Sequence, residues 1–150
     1  MGRGRQKKYE KKMFESTGTS SDTSANIYMS MLTSKAFMEL TDKQKVLYIY
    51  CKAQYYAEKG KEQREYFTMN KSKWQKLYSL YNLGNDKGFY RDMARLIEVG
   101  LIDCVSCGAD ARVKSIYRYS DRWQLYGTEA FQIPANVMTI SMAGTRKKKE

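Results

Sequence analysis

"NDKGFYRDMARLIEVGLI", residues 85–102, carries a start, a face and a stop in the order a helix needs them. Asn85 is a good capping residue. Phe89, Met93, Leu96 and Ile97 recur at helical spacing and make one apolar stripe. Gly100 ends the helix, and the apolar run from Leu101 begins a strand. Gly88 is out of place, because a glycine in the first turn costs roughly 1 kcal/mol of helix propensity. Lys87, Tyr90 and Arg91 fall on the face opposite the stripe. A weak, polar first turn on an otherwise well-specified helix is expected where that end makes a contact, with Gly88 allowing close approach.

Upstream, Thr41 opens TDKQ, a capping box closed by Gln44. The helix it starts is expected to run to about Lys59 and to stop at Gly60. Its apolar run, Val46 to Cys51, covers so much of the surface that two-sided burial is expected. Before it, IYMSMLTSKAFMEL reads as a short irregular or helical lead-in that packs on the core through Ile27, Met29, Met31, Leu32, Phe37, Met38 and Leu40. Tyr66 to Met69 is a short strand candidate. Asn70 caps KSKWQKLYSLY, a second helix with Trp74, Leu77 and Tyr78 inward, and Leu83-Gly84 is the turn into the third.

Downstream, LIDCVSC and ARVKSIYRY are two strands joined through Gly108-Ala109-Asp110 as a hairpin. Ser120 or Asp121 caps the short turn DRWQLYG. The remaining segment has no clear period. Residues 1–26 are basic and then Ser/Thr-rich, with little to bury, and are expected to be a disordered tail. The chain thus divides into that tail, a domain over 27–126, and an extension over 127–150 with a basic end.

The whole chain has 150 residues and 42% hydrophobic residues, enough for one core. No apolar run approaches the roughly 20 residues that span a bilayer. The basic start has no apolar segment behind it, so a cytoplasmic protein without a membrane partner is expected. The net charge of +11 is concentrated at the ends. Six basic residues against Glu10 within 1–12, and four against Glu150 in the last five, are what mobile arms for a polyanion carry, and equally what solubilising tails carry.

There is no histidine, which removes the commonest general base and metal ligand. Catalysis is therefore not expected, and neither is a cofactor. Cys104-x-x-Cys107 lacks the further ligands of a structural zinc site, with only Cys51 elsewhere. The cysteines are expected to be ordinary thiols and no metal is expected.

The order helix, short strand, helix, tight turn, helix, two-stranded hairpin is that of the winged helix-turn-helix. NDKGFYRDMARLIEVGLI resembles the recognition helix and following strand of bacterial winged-helix proteins, where a polar cap, an aromatic-Arg pair and an L-x-x-x-G-L-I ending recur in this register. FTMNKSKWQKLYSL resembles the strand and second helix of the same module. The resemblance covers about residues 41–119. The whole chain is also similar to the small winged-helix proteins of Gram-positive plasmids and conjugative elements, both replication initiators and accessory proteins of transfer origins.

The resemblance implies an α+β winged helix-turn-helix with a two-stranded wing hairpin. It also implies a partner, double-stranded DNA, bound sequence-specifically without catalysis by a regulator or an origin-binding accessory. A homodimer, or other proteins of a replication or transfer complex, would be further partners. Physical reasoning points the same way: a recognition helix sets its N-terminal residues against base edges in the major groove. On that reading Asn85, Lys87, Gly88, Tyr90, Arg91 and Arg95 face DNA. Lys71, Ser72, Lys73 and Lys76, at and after the start of the second helix, are expected to meet phosphates, helped by the helix dipole. Arg112 and Lys114 share one face of the returning wing strand by alternation. Two other classes remain open: a winged helix that binds a protein, and a non-specific nucleic-acid binder acting through its basic tails.

Overall fold

The structure, a computed structural model, describes residues 25–54, 65–106 and 114–132. Two single-turn helices, α1 (Met29–Leu32) and α2 (Lys35–Met38), form the lead-in. They bury Met31, Ala36, Phe37 and, just beyond, Leu40, while Met29 and Met38, expected on the core, are exposed. The main body follows as α3 (Asp42–Lys52), β1 (Tyr66–Phe67), a π-helix (Ser72–Leu77), α4 (Asp86–Glu98), β2 (Ile102–Ser106) and β3 (Ile116–Tyr119). A 3-10 turn over Arg122–Leu125 closes the described chain.

The strands form one antiparallel sheet in the order β1-β3-β2. β3 is central, with Phe67 opposite Tyr117 and Cys104 opposite Tyr117 on its other side. Phe67, Tyr117 and Cys104 lie on the face turned to the helices and are buried. Phe67 also stacks on Tyr119 at 4.7 Å. The described residues are thus an α+β fold.

Helix boundaries follow their local chemistry. Thr41 Oγ1 accepts from Gln44 N at 3.3 Å while Gln44 Oε1 accepts from Thr41 N at 3.1 Å, the reciprocal bonds of a capping box. Asn85 Oδ1 accepts from Gly88 N at 3.1 Å and starts α4. Gly100, at φ +83°, ends it in a conformation that disfavours a side chain. Phe89, Met93, Leu96 and Ile97 are all buried, as the stripe requires. Trp74 stacks on Phe89 at 4.2 Å, and Tyr81 sets its ring edge-on to both. That aromatic trio fixes the π-helix and the turn against α4; truncating such a ring to alanine costs about 3–5 kcal/mol.

The second helix departs from the expected α-helix. It winds with i→i+5 bonds, as in Tyr78 N to Lys73 O at 2.8 Å. The wider winding advances each residue by a smaller angle, so Trp74 and Tyr78 share the inward face and Leu77 turns out, 71% exposed. Leu77 was expected inward on α-helical spacing, and the winding is why it is not.

Two-sided burial of α3 is also not observed. Leu47, Tyr48 and Cys51 face the core, whereas Val46 and Ile49 are exposed on the opposite stripe. Of the two candidates for capping the last turn, Asp121 holds the N-cap position without a side-chain cap bond, while Ser120 Oγ accepts from Arg122 N at 3.3 Å. α3 was expected to run to about Lys59 but ends at Lys52 with Ala53 as its C-cap, because Gln54 N turns back to Cys51 O at 3.1 Å and closes the last turn. Residues 59–60, the hairpin tip at 108–110 and the segment from 133 lie outside the described residues.

The 3-10 turn is tied to the end of α4 and the start of the sheet. Trp123 N donates to Gly100 O at 3.0 Å. The Arg122 guanidinium donates to the buried Asp103 carboxylate and to Ile97 O, and Arg118 Nη2 donates to the other carboxylate oxygen at 3.3 Å. A Cβ on Gly100 would stand 2.7 Å from Trp123 N, so this junction needs glycine for space as well as for φ.

Candidate nucleic-acid interface

The outer face of α4 carries Lys87, Tyr90 and Arg91, all exposed. The Arg91 side chain is 79% exposed, with its Nε 3.6 Å from Asp92 Oδ1. Tyr90 sets its ring edge-on against Phe89 at 5.1 Å, so an exposed aromatic rests on the buried one beneath it. Lys76 is exposed on the neighbouring π-helix, as is Ser72 in its first turn. Lys76 and Lys87 have no ion-pair partner among the described residues.

Other expected contacts are already engaged within the chain. Lys71 Nζ donates to Asp86 Oδ2 at 2.8 Å. Asp86 Oδ1 accepts from Gln75 Nε2 at 3.1 Å, so Asp86, in the first turn of α4, ties the starts of the two helices together. Lys73 Nζ donates to Gln54 Oε1 at 2.6 Å, and Gln54 donates in turn to the Tyr78 hydroxyl. Tyr78 stacks on Tyr50 at 4.0 Å, completing a patch that joins the π-helix to α3. Arg95, one turn beyond Arg91, pairs with Glu98 at 3.3 Å and Glu39 at 3.6 Å. It belongs to the α2 end of the molecule, where Tyr126 also donates to Glu39 at 2.7 Å.

Gly88 has a different role from the one expected. It is buried, and a Cβ there would lie 2.7 Å from Asn85 Oδ1 and 2.8 Å from Asn85 Nδ2. The glycine therefore makes room for the capping side chain of its own helix. Asn85 itself is exposed, with its carboxamide oxygen committed to the cap. Lys114 is exposed just before β3, and Arg112 lies outside the described residues. The expected twelve residues thus separate by position. Lys76, Lys87, Tyr90, Arg91, Ser72 and Lys114 are exposed; Lys71 and Asn85 are exposed too but, like Lys73, Arg95 and Gly88, serve internal bonds or packing.

Asp92 was missed by the sequence reading. It is 3% exposed on the inner face of α4, where Oδ2 accepts from the Tyr81 hydroxyl at 2.6 Å and Oδ1 from Gln44 Nε2 at 3.0 Å. Burial and this bond push the Tyr81 phenol well above its ordinary value. The signal was present: Asp92 lies between Phe89 and Met93, at an inward position where a carboxylate needs partners.

Cys51 and Cys104 are buried, and burial pushes the Cys51 thiol up. Among the described residues no three potential metal ligands come together. Among the same residues no helix is long and apolar enough to cross a membrane. Comparisons with protein families, with curated proteins and with solved structures give no match for this chain.

Proposed function

We propose that the chain is a winged helix-turn-helix protein that binds double-stranded DNA sequence-specifically, with α4 as the reading helix and no catalysis. The observation that carries this reading is the exposed Lys87-Tyr90-Arg91 face on a helix whose other side is wholly buried. Element order and the β1-β3-β2 antiparallel sheet support it, since a reading helix needs a rigid scaffold behind it. Lys76 and Lys114, exposed and without an ion-pair partner among the described residues, add positive charge for phosphates, and the basic tails add more. Within this class we place the chain among regulators or origin-binding accessories of mobile elements, acting in replication or conjugative transfer, as its sequence resemblance suggests.

A second reading, a protein-binding winged helix, is favoured by one observation. Leu77 and Leu83 stand 71% and 78% exposed beside the turn that precedes α4. One experiment separates the two. Duplexes are selected from a randomised pool with the intact chain, and the ratio of selected to scrambled affinity is measured for variants. Arg91→Ala should lower that ratio, because a bidentate guanine contact is worth roughly 1–3 kcal/mol of discrimination. Lys87→Ala should weaken both affinities alike, as a phosphate contact does. Failure of the selection to enrich any sequence, together with no effect of Arg91→Ala, refutes the DNA reading and leaves the protein-partner one.

A further inference from the structure

The apolar stripe of α4 holds the helix against the core but does not by itself fix its roll. The contacts of Met93, Leu96 and Ile97 are non-directional, and of the stripe only Phe89, stacked on Trp74, makes an oriented contact. A reading helix tolerates little roll. A roll of about 10° swings a group about 6 Å from the helix axis by about 1 Å, the scale on which a hydrogen bond to a base edge is made or lost. Something directional is needed near the residues that read.

Asp92 supplies it. Its carboxylate takes two bonds from two different parts of the chain: Gln44 Nε2 at 3.0 Å, at the start of α3, and the Tyr81 hydroxyl at 2.6 Å, just before the turn. Gln44 is itself fixed, because its Oε1 accepts from Thr41 N at 3.1 Å in the capping box. Tyr81 is fixed by its edge contacts to Trp74 and Phe89. Three elements therefore meet at one buried acidic group, next in sequence to Arg91. An apolar residue in its place, with apolar partners replacing Gln44 and the Tyr81 hydroxyl, would stabilise the fold as well or better, since burying a carboxylate has a desolvation cost. What the carboxylate adds is direction.

Resting on the reading of α4 as the DNA-reading helix, we infer that Asp92 is a positioning residue: through Gln44 and Tyr81 it sets the roll of α4 and so the aim of Arg91 and Lys87. The inference ties a specificity determinant to a residue that does not itself face DNA.

The test uses the full chain, a duplex selected from a randomised pool by the wild-type protein, and a scrambled duplex of the same composition. Tyr81→Phe removes one directional bond and keeps the ring. It should lower the selected-to-scrambled affinity ratio at least fivefold, with scrambled affinity held within twofold. Asp92→Ala should do the same, and Asp92→Asn should restore the ratio to within threefold of wild type. The asparagine can still accept from Gln44 through Oδ1 and donate to the Tyr81 oxygen through Nδ2. Tyr119→Phe is the control, since it deletes a tyrosine hydroxyl bond of the same kind, to Cys51 O at 2.8 Å, whose acceptor is not a residue of α4.

If Asp92→Ala does not fold, Tyr81→Phe decides. A Tyr81→Phe ratio within twofold of wild type, or no lower than that of Tyr119→Phe, overturns the inference. So does an Asp92→Asn chain as impaired as Asp92→Ala, which would assign the effect to charge beside Arg91 instead of helix roll. A wild-type chain that enriches no sequence overturns the DNA reading itself, an outcome distinct from these.

Discussion

Replacing Gly88 with alanine sets two effects of similar size against each other. Alanine in the first turn of α4 should gain roughly 1 kcal/mol of helix propensity. Its Cβ, however, would stand 2.7 Å from Asn85 Oδ1 and 3.0 Å from Asn85 Cγ, so the asparagine must move by more than half an ångström from its 3.1 Å bond to the residue 88 amide. Losing that cap costs about 1 kcal/mol. Gly88→Ala should therefore leave stability within about 0.5 kcal/mol of wild type, the two terms nearly cancelling. Once Asn85 is alanine there is no cap to displace, and Gly88→Ala should then stabilise by about 1 kcal/mol. The cycle of wild type, the two single variants and the double variant, measured by urea unfolding, should give a coupling of about 1 kcal/mol. Equal stabilisation by Gly88→Ala in both backgrounds would refute the packing argument. A glycine kept for close approach to DNA predicts another pattern: no coupling with Asn85, and weaker binding of the selected duplex by Gly88→Ala.

Gly100→Ala should destabilise by roughly 2–4 kcal/mol, from the left-handed backbone cost of about 1–2 kcal/mol and a clash with the backbone at Trp123, visible as a fall in Tm. Salt dependence should divide between body and tails: with Lys76, Lys87 and Lys114 as the phosphate contacts, a chain lacking residues 1–26 and 146–150 should show a log K against log salt slope near −3, and the intact chain a steeper one. A truncated chain with a slope near zero would refute that assignment. Burial raises the Tyr48 and Tyr117 phenols and the Cys51 thiol above their ordinary values. Their folded forms hold the proton more tightly than the unfolded chain does, so this stability is fully present below the ordinary values. It should be lost as pH rises past about 9 to 10, by about 1.4 kcal/mol per pH unit for each group. Denaturant midpoints that stay flat to pH 11 would contradict it.

Features set by local chemistry were legible in the sequence. The Thr41–Gln44 box, the Asn85 cap, the Gly100 stop and the inward stripe of α4 each depend on residues within one or two turns, and each stands where the spacing put it. So does the exposed trio Lys87, Tyr90 and Arg91, because the face opposite a buried stripe is fixed by geometry. What escaped the reading depends on distant partners. Nothing local in KSKWQKL marks a π winding; it comes with seating Trp74 on Phe89 and Gln75 against Asp86, both of them on another helix. Lys71, Lys73 and Arg95 look as available as Lys87 in sequence, and only the fold brings Asp86, Gln54 and Glu39 to them. Gly88 misled for the opposite reason. Its partner, Asn85, is three residues away, but whether a missing Cβ serves a ligand or a neighbouring side chain is decided by rotamer.

The winding over residues 72–77 has a consequence for comparing chains of this design. Each i→i+5 bond closes a ring one residue larger than that of an α-helix, so the stretch accommodates a residue for which a plain helix would have no place. Leu77, whose side chain meets solvent, is the residue least missed if this stretch were shortened by one. The number of residues between Trp74 and Asn85 is therefore a soft quantity, free to differ by one between relatives that keep the same aromatic stack. A gapless alignment drawn through this stretch would set Leu77 against a core position and shift every face assignment up to the turn by one residue.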